Sequence, residues 1–395
     1  MLKQIEGSRA IAETVALCRP EVICAYPITP QTHIVEALSQ IVKSGDLGRC
    51  AFMNVESEFA ALSVAIGASA AGARAYTATS SQGLLYMAEA LYNASGLGLP
   101  IVMTLGTRAI GAPINIWNDH SDAMAMRDAG WIQLFAESNQ EAADLHVIAF
   151  RLAEELSLPV MVCVDGFVLT HAFERVDVPT QADVDAFLPP FAPREVLDPA
   201  APISIGSLVG PEAFTEVKAL AHRNLLRAIK IIPSLSTEFA TRFGRVSGGL
   251  VRPYRTEGAD TIVVALGSIN GTIQEVVDAM RDEGRAIGSL DVCTFRPFPF
   301  AAVQQAVTGA ARVVVIEKNI SVGMGGVLAS DVREALGARA PLVHTVIAGL
   351  GGRAITRAGV RSVIELAQAG TLESLHFLDL DRRLVERETA KEMRR

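Results

Sequence analysis

Residues Met53-Asn-Val-Glu-Ser-Glu-Phe-Ala-Ala-Leu-Ser-Val-Ala-Ile-Gly-Ala-Ser-Ala-Ala-Gly-Ala-Arg74 run on through a short apolar segment, Ala75 to Thr79, into Ser80-Ser-Gln-Gly-Leu84. The apolar segment Ala51 to Val55 predicts a strand. Two carboxylates follow, Glu56 and Glu58, and then a helix built almost wholly of Ala, Ser and Gly. Small residues on every side predict a helix approached closely all round. A second strand, Ala75 to Thr79, leads into the polar turn. On a helix the two glutamates point about 200° apart, so they cannot both face one ligand. Burying either carboxylate is costly unless a specific partner holds it, which marks this stretch as the first candidate site. The plainer reading is that both are first-turn acids stabilised by the helix dipole.

The chain has 395 residues, which predicts two or three domains. Half of it is hydrophobic and a fifth is charged, enough apolar side chain for large cores and subunit interfaces. A formal net charge of -8 gives no electrostatic reason to expect nucleic acid. No apolar run reaches the roughly 18–20 residues of a membrane span, and the N-terminus lacks a signal-type apolar region. A cytoplasmic location without a membrane is therefore expected. The five cysteines, Cys18, Cys24, Cys50, Cys163 and Cys293, form no C-x-x-C pair. That suggests a reducing compartment and argues against an iron–sulfur cluster ligated by this chain.

Taken in order, strands and helices alternate. Glu21 to Ala25 predicts a strand, ending in Tyr26-Pro-Ile-Thr-Pro-Gln-Thr32 before a helix from His33 to Ser44. Pro27 and Pro30 restrict the backbone around Thr29, holding its hydroxyl at the carboxyl end of a strand, a usual ligand position. Alternatively, Thr29 or Thr32 caps the helix. A helix from Leu84 to Ser95 and a strand from Pro100 to Leu105 follow, then Arg108 just past the strand end. Its fork suits a carboxylate, although pairing with a structural acid is as good a reading. Asp119-His-Ser-Asp122 is a weak metal pattern and reads better as a structured polar loop. No metal ligands are assigned. A helix within Glu137 to Leu156 and a strand from Pro159 to Asp165 complete a doubly wound parallel sheet. Six prolines between Pro179 and Pro202 predict a strap, and a helical connector follows. A second α/β unit begins near Thr261, with strands Ile262 to Leu266, Gly288 to Val292 and Arg312 to Glu317. The Gly323-Met-Gly-Gly326 turn lacks a phosphate-binding fingerprint. The charged tail, Asp379 to Arg395, predicts a peripheral helix.

Several segments together resemble the alpha subunit of 2-oxoacid:ferredoxin oxidoreductases, the pyruvate:ferredoxin oxidoreductase family. They are Tyr26-Pro-Ile-Thr-Pro30, Glu58 before the small-residue helix, Thr77-Ala-Thr-Ser-Ser-Gln-Gly83, Thr107-Arg-Ala-Ile-Gly-Ala112, Asp119-His-Ser-Asp122, Arg296-Pro-Phe-Pro299 and Gly349-Leu-Gly-Gly-Arg353. The resemblance spans nearly the whole chain. It implies an α/β protein: a thiamine-diphosphate pyrimidine-type doubly wound domain over residues 1–250, strap and connector included, and a transketolase C-terminal-like domain over 251–395. It implies that Glu58 hydrogen-bonds the pyrimidine ring as the catalytic proton partner. Thr29 and Arg108 would contact the substrate, and Tyr26, Pro27, Ile28 and Gln82 would line the cofactor.

No Gly-Asp-Gly followed by a suitably spaced Asn is present to hold Mg2+ and a diphosphate. The resemblance assigns these, with [4Fe-4S] clusters, to partners: a beta subunit, with gamma and ferredoxin-like subunits beside it. The implied reaction is CoA-dependent oxidative decarboxylation of a 2-oxoacid, pyruvate by default, with electrons passing to ferredoxin or a nicotinamide acceptor. Branched-chain, 2-oxoglutarate and aryl substrates stay open. So do a non-catalytic scaffold of the same fold and the half-site of an indolepyruvate-type enzyme.

Overall fold

The computed structural model describes residues 2–337 and 341–393. Its strands are β1 (Leu2–Glu6), β2 (Val22–Ala25), β3 (Ala51–Asn54), β4 (Ala75–Thr79), β5 (Val102–Thr107), β6 (Ile132–Phe135), β7 (Val160–Asp165), β8 (Phe173–Asp177), β9 (Arg252–Tyr254), β10 (Thr261–Ala265), β11 (Ile287–Asp291), β12 (Thr294–Arg296), β13 (Arg312–Glu317), β14 (Leu342–Ile347) and β15 (Leu375–Phe377). Seven strands form one sheet in the order β12-β6-β7-β5-β4-β2-β3. It is parallel except at β12, which runs antiparallel to β6. Six strands form a second sheet, β15-β14-β13-β10-β11-β9, parallel except at β9. β1 and β8 make a separate antiparallel ribbon. β4, β5 and β7 are buried along their whole length, as apolar runs covered by helices on both faces must be.

One apolar cluster is common to the two sheets. It runs from Leu62, Met103 and Trp131 through Phe135 and Phe295 to Val264, Val313 and Leu328. The rings of Phe135 and Phe295 meet edge to face, 6.0 Å between centroids. The other face of the first sheet packs on the helices Gly7–Leu17, Thr32–Ser44 and Asn139–Leu156.

The helix Glu58–Ala70 is not packed all round. Ala61, Leu62, Ala65 and Ser69 are buried, whereas Phe59, Ser63 and Gly67, one stripe at four-residue spacing, are exposed. Small side chains let one face meet the sheet, while among the described residues the stripe on the other stays open to solvent, with only the exposed Tyr86 ring 6.2 Å from Phe59. The expected helix Leu84–Ser95 is two pieces, Ser81–Tyr86 and Ala88–Gly96. The proline-rich stretch holds a short helix, Gln181–Phe187, and then lies across the end of Glu58–Ala70, with Leu197 N donating to Ala70 O at 2.9 Å. A helix does occupy the charged tail, Arg382–Glu392; residues 394 and 395 lie outside the described residues. Among the described residues no helix is long and apolar enough to cross a membrane.

Candidate active site

Glu58 opens its helix. Ser57 is the N-cap, its hydroxyl accepting from Ala60 N at 3.2 Å. The cap sends Glu58 inward, 8% exposed, and leaves Glu56 outside the helix in solvent. Among the described residues nothing hydrogen-bonds the Glu58 carboxylate. Its neighbours are the turn after β4. A Cβ on Gly83 would stand 2.8 Å from Glu58 Oε1, so the chain can approach this carboxylate closely only with glycine there. The buried hydroxyls of Thr77, Thr79 and Ser80 and the Gln31 side-chain oxygen also lack partners. Buried polar atoms are normally satisfied, so this concentration of open ones marks a ligand position.

The segment Tyr26 to Pro30 lies beside it. Gln31 fixes this loop: its Nε2 donates to Tyr26 O at 2.9 Å and to Ala78 O at 3.3 Å, bridging β2 and β4. Neither Thr29 nor Thr32 caps the following helix, whose N-cap is Gln31. Thr29 is exposed, and its carbonyl accepts from Arg108 Nη1 at 2.9 Å. Arg108 Nε donates to Asn115 O at 3.0 Å. No acid pairs with the guanidinium among the described residues. Two carbonyls fix the buried side chain, and Nη2 is left free for another acceptor.

Asp122 sets the spacing of these parts. It is fully buried and accepts from Ser81 N at 2.8 Å and Arg108 N at 3.0 Å, tying the end of β4 to the end of β5. Burial pushes its carboxyl up to about 8 against the backbone N–H groups that favour the anion. Gln82 accepts from Ser81 Oγ and lies against Gly111, while the next residue, Gly83, lies against Glu58. Gln82 thus sits between the Glu58 side and the Arg108 side. The structure brings Thr29 to Arg108 and Gln82 to both flanks; Tyr26 and Pro27 are exposed and Ile28 is half-buried at the lip.

Where the two sheets meet, Asp165 at the end of β7 collects a buried network. His120 Nε2 lies 2.7 Å from Asp165 Oδ1, and Lys318 Nζ lies 2.6 Å from Oδ2. Ser268 N and Oγ reach the same Oδ2, and Lys318 also reaches Asn118 Oδ1 at 3.0 Å. Burial alone would raise the Asp165 pKa, but the Lys318 ammonium and His120 hold it well below the usual range. Asp119 accepts from Ser121 N and Gly351 N, and Asn115 donates to Gly351 O, so the loop after Arg108 is docked on the glycine turn of the second unit. Asp119 and His120 are therefore a hydrogen-bonded polar turn, and Ser121 and Asp122 open the short helix Ser121–Ala125.

The Gly323 turn is likewise explained. Glu317, at the end of β13, accepts from Val327 N, Leu328 N and Ala329 N, filling the N-terminus of the helix Val327–Leu336. A Cβ on Gly326 would overlap Glu317 Oε1. The helix end has its anion already, from its own chain.

Sequence reasoning did not single out Gln31, Asp122 or the Asp165–Lys318 pair as functional positions. Gln31 directly follows the Tyr26–Pro30 segment and Asp122 closes the Asp119–Asp122 segment, where a polar residue type was the available signal. The third joins residues 153 positions apart, for which no local signal exists.

This constellation lies on a doubly wound sheet with a second α/β unit docked at its carboxyl edge. Residues 13–235 match the pyruvate flavodoxin/ferredoxin oxidoreductase, thiamine diphosphate-binding family model, and residues 259–360 match the pyruvate:ferredoxin oxidoreductase core domain II model. The chain belongs to the alpha-subunit family of 2-oxoacid:ferredoxin oxidoreductases. It is 46% identical over 391 residues to the pyruvate synthase subunit PorA of Methanosarcina barkeri, covering 96% of this chain and 97% of that one. Among solved structures it resembles a 2-oxoglutarate:ferredoxin oxidoreductase from Magnetococcus marinus, TM-score 0.70 at 20% identity, over 92% of this chain and 64% of that chain. It also resembles a split-gene transketolase, TM-score 0.55 at 16% identity, over 93% of this chain and 99% of the other. The six-stranded, mostly parallel sheet of the second unit agrees with that likeness in fold.

Proposed function

We propose that this chain supplies the pyrimidine half of a thiamine diphosphate site in a multi-subunit, CoA-acylating 2-oxoacid oxidoreductase, with pyruvate as the leading substrate. The observation that carries the reading is the buried Glu58 side chain, with no hydrogen-bond partner among the described residues, meeting Gly83 beside the unsatisfied Thr79 hydroxyl. Those open groups, with Gly83 leaving room beside them, fit a flat polar ring. When bound, thiamine diphosphate supplies a carbon nucleophile and an electron sink for decarboxylation.

This chain's residues then have definite tasks. Glu58 shares a proton with a pyrimidine ring nitrogen through its carboxylate oxygen. Tyr26, Pro27 and Ile28, held by Gln31, and Gln82 shape the pocket around the ring. Arg108, held by the Thr29 and Asn115 carbonyls, presents Nη2 to the substrate carboxylate, and the Thr29 hydroxyl completes that contact. Asp122 keeps the Ser81 and Arg108 ends in register. Mg2+, the diphosphate and the [4Fe-4S] clusters fall to a beta subunit, with gamma and ferredoxin-like subunits carrying electrons to ferredoxin or a nicotinamide acceptor. The open Phe59–Ser63–Gly67 stripe is a suitable face for such a partner. A scaffold role is disfavoured because an inert subunit has no reason to keep an unpaired buried carboxylate.

The test is CoA-dependent acceptor reduction by the assembled complex against pyruvate, branched-chain 2-oxoacids, 2-oxoglutarate and aryl 2-oxoacids. Pyruvate is expected to give the highest kcat/KM. Reduction by none of these acids, in a complex containing thiamine diphosphate and its clusters, refutes the assignment.

A further inference from the structure

Away from this site, β1, the start of the helix Thr32–Ser44 and the turn before β8 bring Glu6, His33 and His171 together. One potential ligand atom from each lies within 4.8 Å of the other two. Glu6 Oε1 is 2.7 Å from His33 Nδ1, and the two imidazoles face each other with centroids 4.6 Å apart. We propose that this trio binds a divalent transition-metal ion of the borderline class, Zn2+ or a congener, through two imidazole nitrogens and one carboxylate oxygen.

The donor set is the first reason. Imidazole with carboxylate suits zinc, cobalt, nickel and copper, and not the all-oxygen cations. Its charge is the second: two neutral rings and one carboxylate sum to a single negative charge, and among the described residues no Lys or Arg pairs with them. The second close group, Glu137, Glu141 and Asp291, is all carboxylate and already surrounds a cation, the Arg252 guanidinium, which pairs with each of the three.

The third reason is how His171 is oriented. Thr170 Oγ lies 2.8 Å from His171 Nδ1 and accepts from Phe167 N at 2.8 Å. The hydroxyl has two lone pairs, so it can also accept from Nδ1–H, which leaves the lone pair on Nε2 for a metal. Thr170 is itself fixed, its carbonyl accepting from Ser8 Oγ at 2.7 Å. Phe167 stacks on the far face of His171 at 4.7 Å, and Trp117 on Phe167 at 4.6 Å, walling one side of the ring. The His33 side chain is 48% exposed, which leaves water free to complete the coordination. Tetrahedral ligand atoms at zinc stand about 3.3 Å apart, from bond lengths near 2.0–2.1 Å. The Glu6–His33 contact therefore needs to open by only about half an ångström once the ring proton leaves. Occupancy would tie the N-terminal ribbon to the helix that begins just after the Thr29 loop.

The test is Zn2+ titration of the full-length chain by calorimetry, with Co2+ visible absorption as the spectroscopic readout. One high-affinity ion per chain is expected, with cobalt bands of a nitrogen–oxygen site. His171→Gln and, separately, Glu6→Gln should abolish that ion while leaving the circular dichroism unchanged. Thr170→Val, which removes only the orienting hydroxyl, should weaken binding about tenfold or more. Zinc should raise the Tm of the wild type and not of His171→Gln. Absence of a saturable site in the wild type, or the same stoichiometry and affinity in both ligand variants, overturns the proposal.

Discussion

Two buried carboxylates stand at two helix N-termini, one in each α/β unit. Glu317 is 3% exposed and is met by three N–H groups of the helix Val327–Leu336. Glu58 is 8% exposed, sits in the first turn of its own helix and is met by nothing among the described residues. Both lie beside a glycine that lets the backbone come close, Gly326 in one case and Gly83 in the other. The difference lies in where the carboxylate originates. Glu317 comes from the preceding strand and points at the helix end, so it behaves as a cap. Glu58 is on the helix and points away from it, so its acceptor capacity faces the strand-end crevice. Burial with partners describes a structural group; burial without them describes a group waiting for a ligand.

Exchanging each carboxylate for its amide separates the two roles. Glu58→Gln keeps the shape but cannot share a proton. It should lower kcat of the assembled enzyme by about two to four orders of magnitude with little change in stability. Glu56→Gln is the control and should leave kcat unchanged. Equal kcat for Glu58→Gln and wild type would erase the distinction. Between the units, Lys318→Met strands Asp165 in the interior and should cost about 3–5 kcal/mol by urea unfolding. A loss below about 1 kcal/mol would mean that His120 and Ser268 suffice.

Glu317→Gln should behave in the opposite way to Glu58→Gln, costing about 1–3 kcal/mol of stability and leaving kcat per folded molecule unchanged. Burial raises the Glu317 carboxyl to about 7, above its unfolded value. Its contribution is thus fully present below about pH 4.3 and is lost as pH rises through 7. The urea midpoint should fall between about pH 4.5 and pH 7 in the wild type, the interval between the unfolded and folded values, and this slope should be smaller in Glu317→Gln; identical slopes would show that another group titrates. The smallest effect is expected for Arg108→Lys. It keeps the charge but gives up the Thr29 and Asn115 carbonyl contacts, and should raise KM for the 2-oxoacid about tenfold with kcat little altered. An unchanged KM would remove Arg108 from substrate binding.

Much of the fold was legible because β7, β10 and β13 carry runs of four or five apolar residues, and β4 and β5 mix apolar residues with threonine, all bounded by turns. β12 was not: three residues running into Pro297 carry no periodicity, and only the partner β6 makes them a strand. β6 itself is four residues with Gln133 in the middle, and β14 carries His344 within its apolar run. At the site, the small-residue helix pointed to Glu58, and the proline bracket to Thr29. The guanidinium of Arg108 read equally as a ligand for an acid or as a structural ion pair. Its actual partners are backbone carbonyls, one of them 79 residues away, and carbonyls leave no trace in side-chain patterns. The open stripe on Glu58–Ala70 shows what composition leaves out: it reports how closely a helix can be approached, not by what.

The antiparallel pairing of β12 with β6 also bears on how separable the halves of this chain are. The polypeptide leaves the first sheet after β7, builds β9, β10 and β11 of the second, and then returns to the first with Thr294 and Arg296 before going back. A fragment ending at residue 250 would therefore lack the strand that covers the edge of β6, exposing a row of unpaired backbone groups that invites aggregation. The two units are sewn together, so a polypeptide emerging from the ribosome cannot finish its first sheet until nearly three quarters of its length has been made.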